Sequence, residues 1–126
     1  STANLCIAGE LDVPYSPRVA DIVESWDGTS WTEVADINTA RQNFAGAGVS
    51  TDALCFGGDP AHKETESYNG TAWTEVADLA VGIKAQAGSG TGATAISMGG
   101  NTPPSSVVTE VWNSPAGTET VTFTDS

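Results

Sequence analysis

Few side chains in this chain of 126 residues could carry out chemistry, and they are spread along its length. The single histidine, His62, lies in the polar segment DPAHKE, which we expect to form an exposed loop. A zinc or copper site needs several ligands, and the sequence offers no partners for this histidine. A nucleophile-elbow pattern is missing too, although a Ser/His/Asp arrangement stays open because its members need not be close in sequence. We expect no catalytic residue, no metal and no cofactor.

The two cysteines occupy matching places in two similar segments, NLCI around Cys6 and ALCF around Cys55. A third similar segment, AIS, has Ser97 at this place. A cysteine that serine can replace behaves as a small strand residue rather than as a nucleophile or metal ligand. A disulfide needs Cα atoms within about 7 Å, and equivalent atoms of neighbouring repeats tend to lie farther apart. We therefore predict two free thiols.

The charge balance excludes some partners. Sixteen acidic residues against four basic ones give a net charge of −12, which repels phosphate backbones and argues against nucleic acid. No apolar run approaches the roughly 20 residues that cross a bilayer, and no basic amphipathic segment suits a membrane surface. The N-terminus shows neither a signal-peptide pattern nor an initiator methionine. We expect the chain to be processed or to be an excerpt of something longer.

The sequence repeats itself. The segment ESWDGTSWTEVAD begins at Glu24, and ESYNGTAWTEVAD begins at Glu66, a step of 42 residues. A third copy begins with EVWN at Glu110, a step of 44. Self-similarity at such a period is typical of propellers and solenoids, in which one repeat cannot bury its faces alone. We divide the single repeat region 1–126 into approximate repeats 1–34 (partial), 35–76 and 77–126.

Within one repeat, short apolar or small-residue runs alternate with turn residues. Asn69-Gly70 predicts a two-residue hairpin turn, and Asp27-Gly28 predicts the same turn one repeat earlier. No segment shows helical periodicity. We predict an all-β fold of four-stranded antiparallel sheets. The predicted strands of the second repeat are Phe44–Val49, Ala53–Phe56, Glu64–Tyr68 and Thr71–Val76.

Large and small residues recur at fixed places. A doublet of glycines ends the second strand, aromatic rings occupy the outer strands, and the inner strand holds small residues such as Gly46. Flat rings can cover the gap between sheets that splay outward, each burying on the order of 150–250 Å². The residues to which we assign this packing are Trp26, Trp31, Gly57, Gly58, Tyr68, Trp73, Gly99, Gly100 and Trp112.

These residues resemble the kelch repeat family, whose marks are Gly57-Gly58, then Tyr68, then Trp73, with Thr39-Ala40-Arg41 in the loop after Trp31. The resemblance implies kelch-type β-propeller blades. The short turn in ESYNGTAWTEVAD is similar to kelch-like arrays in tail or appendage proteins of marine phages. Two features depart from the pattern: the aromatic-to-Trp interval is shorter than usual, and Ile83 replaces Arg41 in the next repeat.

About three blades are present, whereas closed propellers have about 4 to 8. Residues 4–8 match a second strand, with no first strand before them. Open blades leave unpaired edges, which favour association. We expect these blades to belong to a larger ring, completed by other copies of the chain or by the rest of a longer chain.

Loops on a rigid scaffold often carry function. The long loop ELDVPYSPRVAD contains Tyr15 and Arg18, and a second loop, NTPPSS, begins at Asn101. Both leave the same kind of strand end as the loop of His62, so we predict that all four residues are contacts on one face. The alternative is that these loops are plain solvent-exposed connectors.

Three functions follow as hypotheses. The first is a non-enzymatic structural and recognition module of a virion, such as a tail fibre, or of another extracellular propeller, which binds a protein or glycan surface. The second is an intracellular kelch module for protein–protein interaction. The third is a carbohydrate-active enzyme with a propeller core, whose carboxylate pair cannot be identified by spacing. The segment around Asp27 is similar to the Asp-box of sialidases but is one residue too tight.

Overall fold

The computed structural model describes residues 3–10, 19–59, 62–101, 109–113 and 117–121. Within these ranges every regular element is a β-strand. The strands are β1 (Asn4–Glu10), β2 (Val19–Trp26), β3 (Trp31–Val34), β4 (Ala45–Val49), β5 (Asp52–Phe56), β6 (Thr65–Tyr68), β7 (Trp73–Val76), β8 (Ala87–Gly90), β9 (Thr94–Met98), β10 (Thr109–Asn113) and β11 (Gly117–Val121). Over the same ranges there is no helix with the length and apolarity that a bilayer crossing requires.

The strands form three antiparallel sheets in which spatial order follows chain order. The first sheet contains β1, β2 and β3, the second contains β4 to β7, and the third contains β8 to β11. The prediction of an all-β chain with four-stranded antiparallel sheets is thus confirmed for the second and third sheets. The first sheet begins at the strand equivalent to β5, as expected from the match of residues 4–8 to a second strand.

Side chains alternate between the two faces of each sheet. In the second sheet Cys55 pairs with Glu66, and Glu66 pairs with Glu75 on the far side. We call the face that carries Cys55 and Glu66 the front face, together with Ala53, Tyr68 and Trp73. The opposite face is the back face, and in the second sheet it carries Ala45, Ala47, Leu54, Phe56 and Val76.

Among the described residues, two hydrophobic cores lie between the sheets. The front face of the second sheet packs against the first sheet, through Ala53, Cys55, Tyr68, Trp73, Val23 and Ile37. The back face of the second sheet packs against the third, through Ala45, Leu54, Phe56, Leu79, Ile83, Ala95 and Trp112. Each sheet is therefore stabilised by its neighbours, as in other repeat proteins.

Small residues in the inner strands allow close approach. Strand β8 lies against β4, and a Cβ atom added at Gly88 would lie 2.7 Å from Phe56 Cζ and 2.9 Å from Ala45 Cβ. Gly58 follows β5 with a positive φ of 120°, and its N–H donates to the Ile83 carbonyl at 2.8 Å. The glycine doublet therefore ends the strand and joins the second sheet to the following loop.

The hairpin turns are longer than predicted. Tyr68 pairs directly with Trp73, so four residues rather than two connect β6 to β7. The Asn69 side chain explains the difference, because its Oδ1 accepts hydrogen bonds from the amides of Thr71 and Ala72 at 2.9 Å. Asp27 caps the amides of the equivalent turn in the same way. The two-residue turn prediction is wrong at both places.

Candidate functional site

A buried ion pair lies on the front face of the second sheet. Arg41 Nη2 is 2.8 Å from Glu66 Oε2, and the two side chains are 0% and 1% exposed. The guanidinium also donates to the carbonyls of Gly57, Glu64 and Thr39, at 3.0, 2.8 and 3.2 Å. A buried ion pair is tolerated when its remaining hydrogen-bonding groups are satisfied in this way.

The same carboxylate holds the chain segment that links the first two sheets. Glu66 accepts hydrogen bonds from the backbone amides of Asn38 and Thr39, at 2.6 and 3.3 Å. Trp73 Nε1 donates to the Ala35 carbonyl at 2.9 Å, and the Trp73 ring stacks on Tyr68 with centroids 4.9 Å apart. We call residues 35–41 the connecting loop. Its backbone bonds to the second sheet through these groups and to the first sheet through the amides of Ile37 and Arg41, which donate to the carbonyls of Asp21 and Ala20.

The third sheet repeats this arrangement without the cation. Glu110 is 3% exposed and accepts hydrogen bonds from the amides of Ala80 and Val81, at 2.6 and 3.4 Å. Ile83 stands at the place of Arg41, and across the described part of the chain Glu110 forms no ion pair. In both sheets a buried glutamate therefore accepts hydrogen bonds from two amides of the preceding loop, an arrangement that we call the clasp. The arginine is present in only one of these two copies.

The first sheet presents the same front-face residues to solvent. Glu24 and Cys6 are exposed, whereas the equivalent Glu66 and Cys55 are buried. Trp31 is 51% exposed, whereas Trp73 is 6% exposed. Among the residues assigned to packing between blades, Tyr68, Trp73 and Trp112 lie in the two cores, while Trp26 and Trp31 contact each other with centroids 5.4 Å apart.

An open cleft of about 620 Å³ separates β1 from β4. At the next interface the corresponding space, beside β5 and against β8, is filled by β4. Within the described ranges β1 pairs with β2 alone, so its other edge borders the cleft. The residues that line the cleft from the two strands include Leu5, Ile7, Gly46, Ala47 and Val49.

Only two of the four residues predicted to form a contact face lie within the described ranges. Tyr15 and Arg18 lie outside the described residues. His62 and Asn101 flank one short stretch: the His62 carbonyl accepts from the Ile83 amide at 3.1 Å, and the Asn101 amide donates to the Lys84 carbonyl at 2.7 Å. The structure therefore brings His62 and Asn101 to the same loop, through backbone contacts.

An ion pair and several hydrogen bonds connect the side chains of this loop face. Lys84 Nζ lies 2.6 Å from Asp59 Oδ1, and Gln42 Nε2 donates to Asp59 Oδ2 at 3.1 Å. His62 Nδ1 lies 3.0 Å from Glu64 Oε2. No group of three metal-ligating side chains occurs among the residues whose structure is described. These side chains form a surface of mixed charge.

The electrostatics of the loop face do not favour acid catalysis. The hydrogen bond from Lys84, followed by that from Gln42, lowers the pKa of Asp59 below its ordinary value. A hydrogen bond from its own backbone amide, with a further one from His62, lowers the pKa of Glu64. A general acid at neutral pH needs a raised carboxyl pKa instead, so both side chains are suited to binding as anions.

The sequence did not lead us to expect that Glu66 and Glu110 are buried and bind the preceding loop. Both begin a copy of the repeat, as Glu24 does. An available signal was that this residue stays acidic in every copy while its neighbours vary. A comparison with protein-family models and a comparison with curated proteins both find no match for this chain.

Proposed function

We propose that this chain forms successive blades of a kelch-type β-propeller that acts as a non-enzymatic structural and recognition module. The observation that carries the proposal is the repeated clasp, in which Glu66 and Glu110 each hold the loop that precedes their own sheet. Two equivalent contacts relate the first sheet to the second and the second to the third. Repetition of one such step can close a ring of sheets.

The recognition role rests on the loop face. His62 and Asn101 share a surface on which Lys84 pairs with Asp59, and Glu64 forms a hydrogen bond with His62. Ordered polar side chains lose little conformational entropy when they contact a partner. We propose a protein or glycan surface as the ligand, and an extracellular or virion location, which follows from the kelch resemblance.

Electron microscopy of the negatively stained chain, together with its native mass by light scattering, tests the architecture. Class averages that show a ring of radial blades, with a mass equal to a whole number of chains, support the propeller. A discrete particle whose sheets form an open stack contradicts it, whatever the mass.

A glycan array tests recognition. We expect binding that is lost in the double variant H62A/N101A and retained in Thr74→Ala, because Thr74 is an exposed residue of β7 outside the loop face. Equal binding by both variants contradicts a ligand site at this face. Capture of one cytosolic protein would favour the intracellular hypothesis, and hydrolysis of an aryl glycoside would favour the enzymatic one.

A further inference from the structure

Three features of the first sheet coincide. Its front face exposes a carboxylate, Glu24, that is buried in the other two copies. The large ring of Trp31 beside it is half exposed. Within the described ranges the edge of β1 opposite β2 is free, and it borders the cleft of about 620 Å³. In the second sheet the equivalent glutamate and tryptophan are buried, and the equivalent strand edge is paired.

One continuous segment covers all three counterparts in the second sheet. Residues 35–41 supply two amides and the Arg41 guanidinium to Glu66, and a carbonyl to Trp73. The chain then runs directly into β4, which pairs with the edge of β5 opposite β6. A loop followed by a strand of small residues, 35–49 in total, therefore satisfies the glutamate, the tryptophan and the sheet edge together.

The cleft sets the shape of the strand that could enter it. Where β4 occupies the equivalent space, β8 lies so close to it that a Cβ at Gly88 would contact Phe56 and Ala45. A strand between β1 and β4 meets the same limit, since Gly46 and Ala47 line the cleft. The sequence AGAGV of β4 satisfies this limit, whereas a strand with large side chains on both faces does not.

Charge also restricts the partner. The chain carries a net charge of −12, and Glu24 lies directly across from Glu33 on the exposed face. A cation in the partner would pair with Glu24, as Arg41 pairs with Glu66.

We propose that the front face and free edge of the first sheet form a binding site for a partner segment with the chemistry of residues 35–49. Such a segment has a loop with two adjacent free amides and an arginine, followed by an extended strand of small residues. The strand adds to the edge of β1, and the loop binds Glu24, which is recognition by β-strand addition. This inference rests on the proposed function, because it completes one blade of the proposed array.

A synthetic peptide with the sequence ADINTARQNFAGAGV, copied from residues 35–49, tests the site by calorimetry. We expect one peptide to bind per chain. Glu24→Gln should weaken binding on the order of thirtyfold, because the peptide arginine would lose its carboxylate. Glu33→Gln is the matched control, since Glu33 is exposed on the same face, and it should bind normally. A peptide with alanine in place of arginine should bind as weakly to the native chain as the native peptide binds to Glu24→Gln.

Cys6 gives a second measurement. Its equivalent, Cys55, is fully buried beneath the connecting loop, so the bound peptide should slow modification of Cys6 by a thiol reagent. Absence of saturable peptide binding, equal weakening by the two glutamate variants, or unchanged Cys6 reactivity would each overturn the inference. A doubled native mass without peptide binding would assign the face to a second copy and would also overturn it. A ring seen by microscopy alongside failed peptide binding would reject this site while leaving the proposed architecture standing.

Discussion

Glu66 and Glu110 hold equivalent places in neighbouring sheets, and among the described contacts only Glu66 has a guanidinium beside it. Both carboxylates accept hydrogen bonds from two loop amides. Comparing variants of the two glutamates therefore separates the contribution of the amides to stability from that of the cation.

Glu66→Gln should lower the free energy of unfolding by about 3–5 kcal/mol, because it leaves the buried Arg41 charge without its counterion. Glu110→Gln should cost about 1 kcal/mol, because an amide oxygen can still accept from Ala80 and no buried cation is stranded. Urea denaturation of the two variants measures the difference. Equal losses would show that the arginine contributes nothing beyond the amide contacts.

Replacing Trp73 should cost more stability than the same replacement of its equivalent, Trp31. Trp73→Phe removes the indole donor to the Ala35 carbonyl and part of a buried ring, and we expect a loss of about 1–3 kcal/mol. Trp31→Phe changes a half-exposed ring, so its effect should stay within about 0.5 kcal/mol. Thermal unfolding followed by circular dichroism measures both. A larger loss for Trp31→Phe than for Trp73→Phe would place the packing of the first sheet elsewhere.

The two thiols should react at very different rates. Burial raises the pKa of the Cys55 thiol to about 12, so at pH 8 it is protonated as well as inaccessible. Cys6 is exposed, and we expect a colorimetric thiol reagent to titrate one thiol in the folded chain and two in denaturant. The variant Cys6→Ser should show no fast reaction. Rapid reaction of that variant in native buffer would mean that the first two sheets separate readily.

The acid titration of the loop face should depend on Lys84. Its hydrogen bond is the main cause that lowers the pKa of Asp59, so Lys84→Ala should raise that pKa toward 3.8. A carboxyl with a lowered pKa adds stability that is present above the unfolded-state value and is lost as the pH falls through the folded-state value. The variant should therefore lose less stability than the native chain as the pH falls below about 4. Carbon-detected NMR titration of Asp59 measures the pKa, and Lys63→Ala serves as the control because Lys63 is exposed in the same loop. An unchanged Asp59 titration in Lys84→Ala would contradict the ion pair.

The strand pattern was predictable because its determinants are local. Glycine doublets end strands, and small residues such as Gly88 are required wherever two inner strands touch. The turn length was not predictable from Asn69-Gly70 alone, because the Asn69 side chain competes for the amides that a shorter turn would use. The contact between Glu66 and the connecting loop was not predictable for a different reason. Glu66 lies between Thr65 and Ser67 in a mostly polar strand, so its position resembles a solvent-facing one. Its burial depends on Asn38, which is distant in sequence.

The spacing of the clasp has a consequence for how such arrays lengthen. Asn38 and Glu66 are separated by 28 residues, which is less than the repeat period of 42. A duplicated stretch of one period that begins at Ala35 therefore carries both halves of the clasp, so the new copy contains the glutamate together with the loop that it binds. Growth by whole repeats then leaves every existing contact between a glutamate and its loop intact, and each added repeat carries its own.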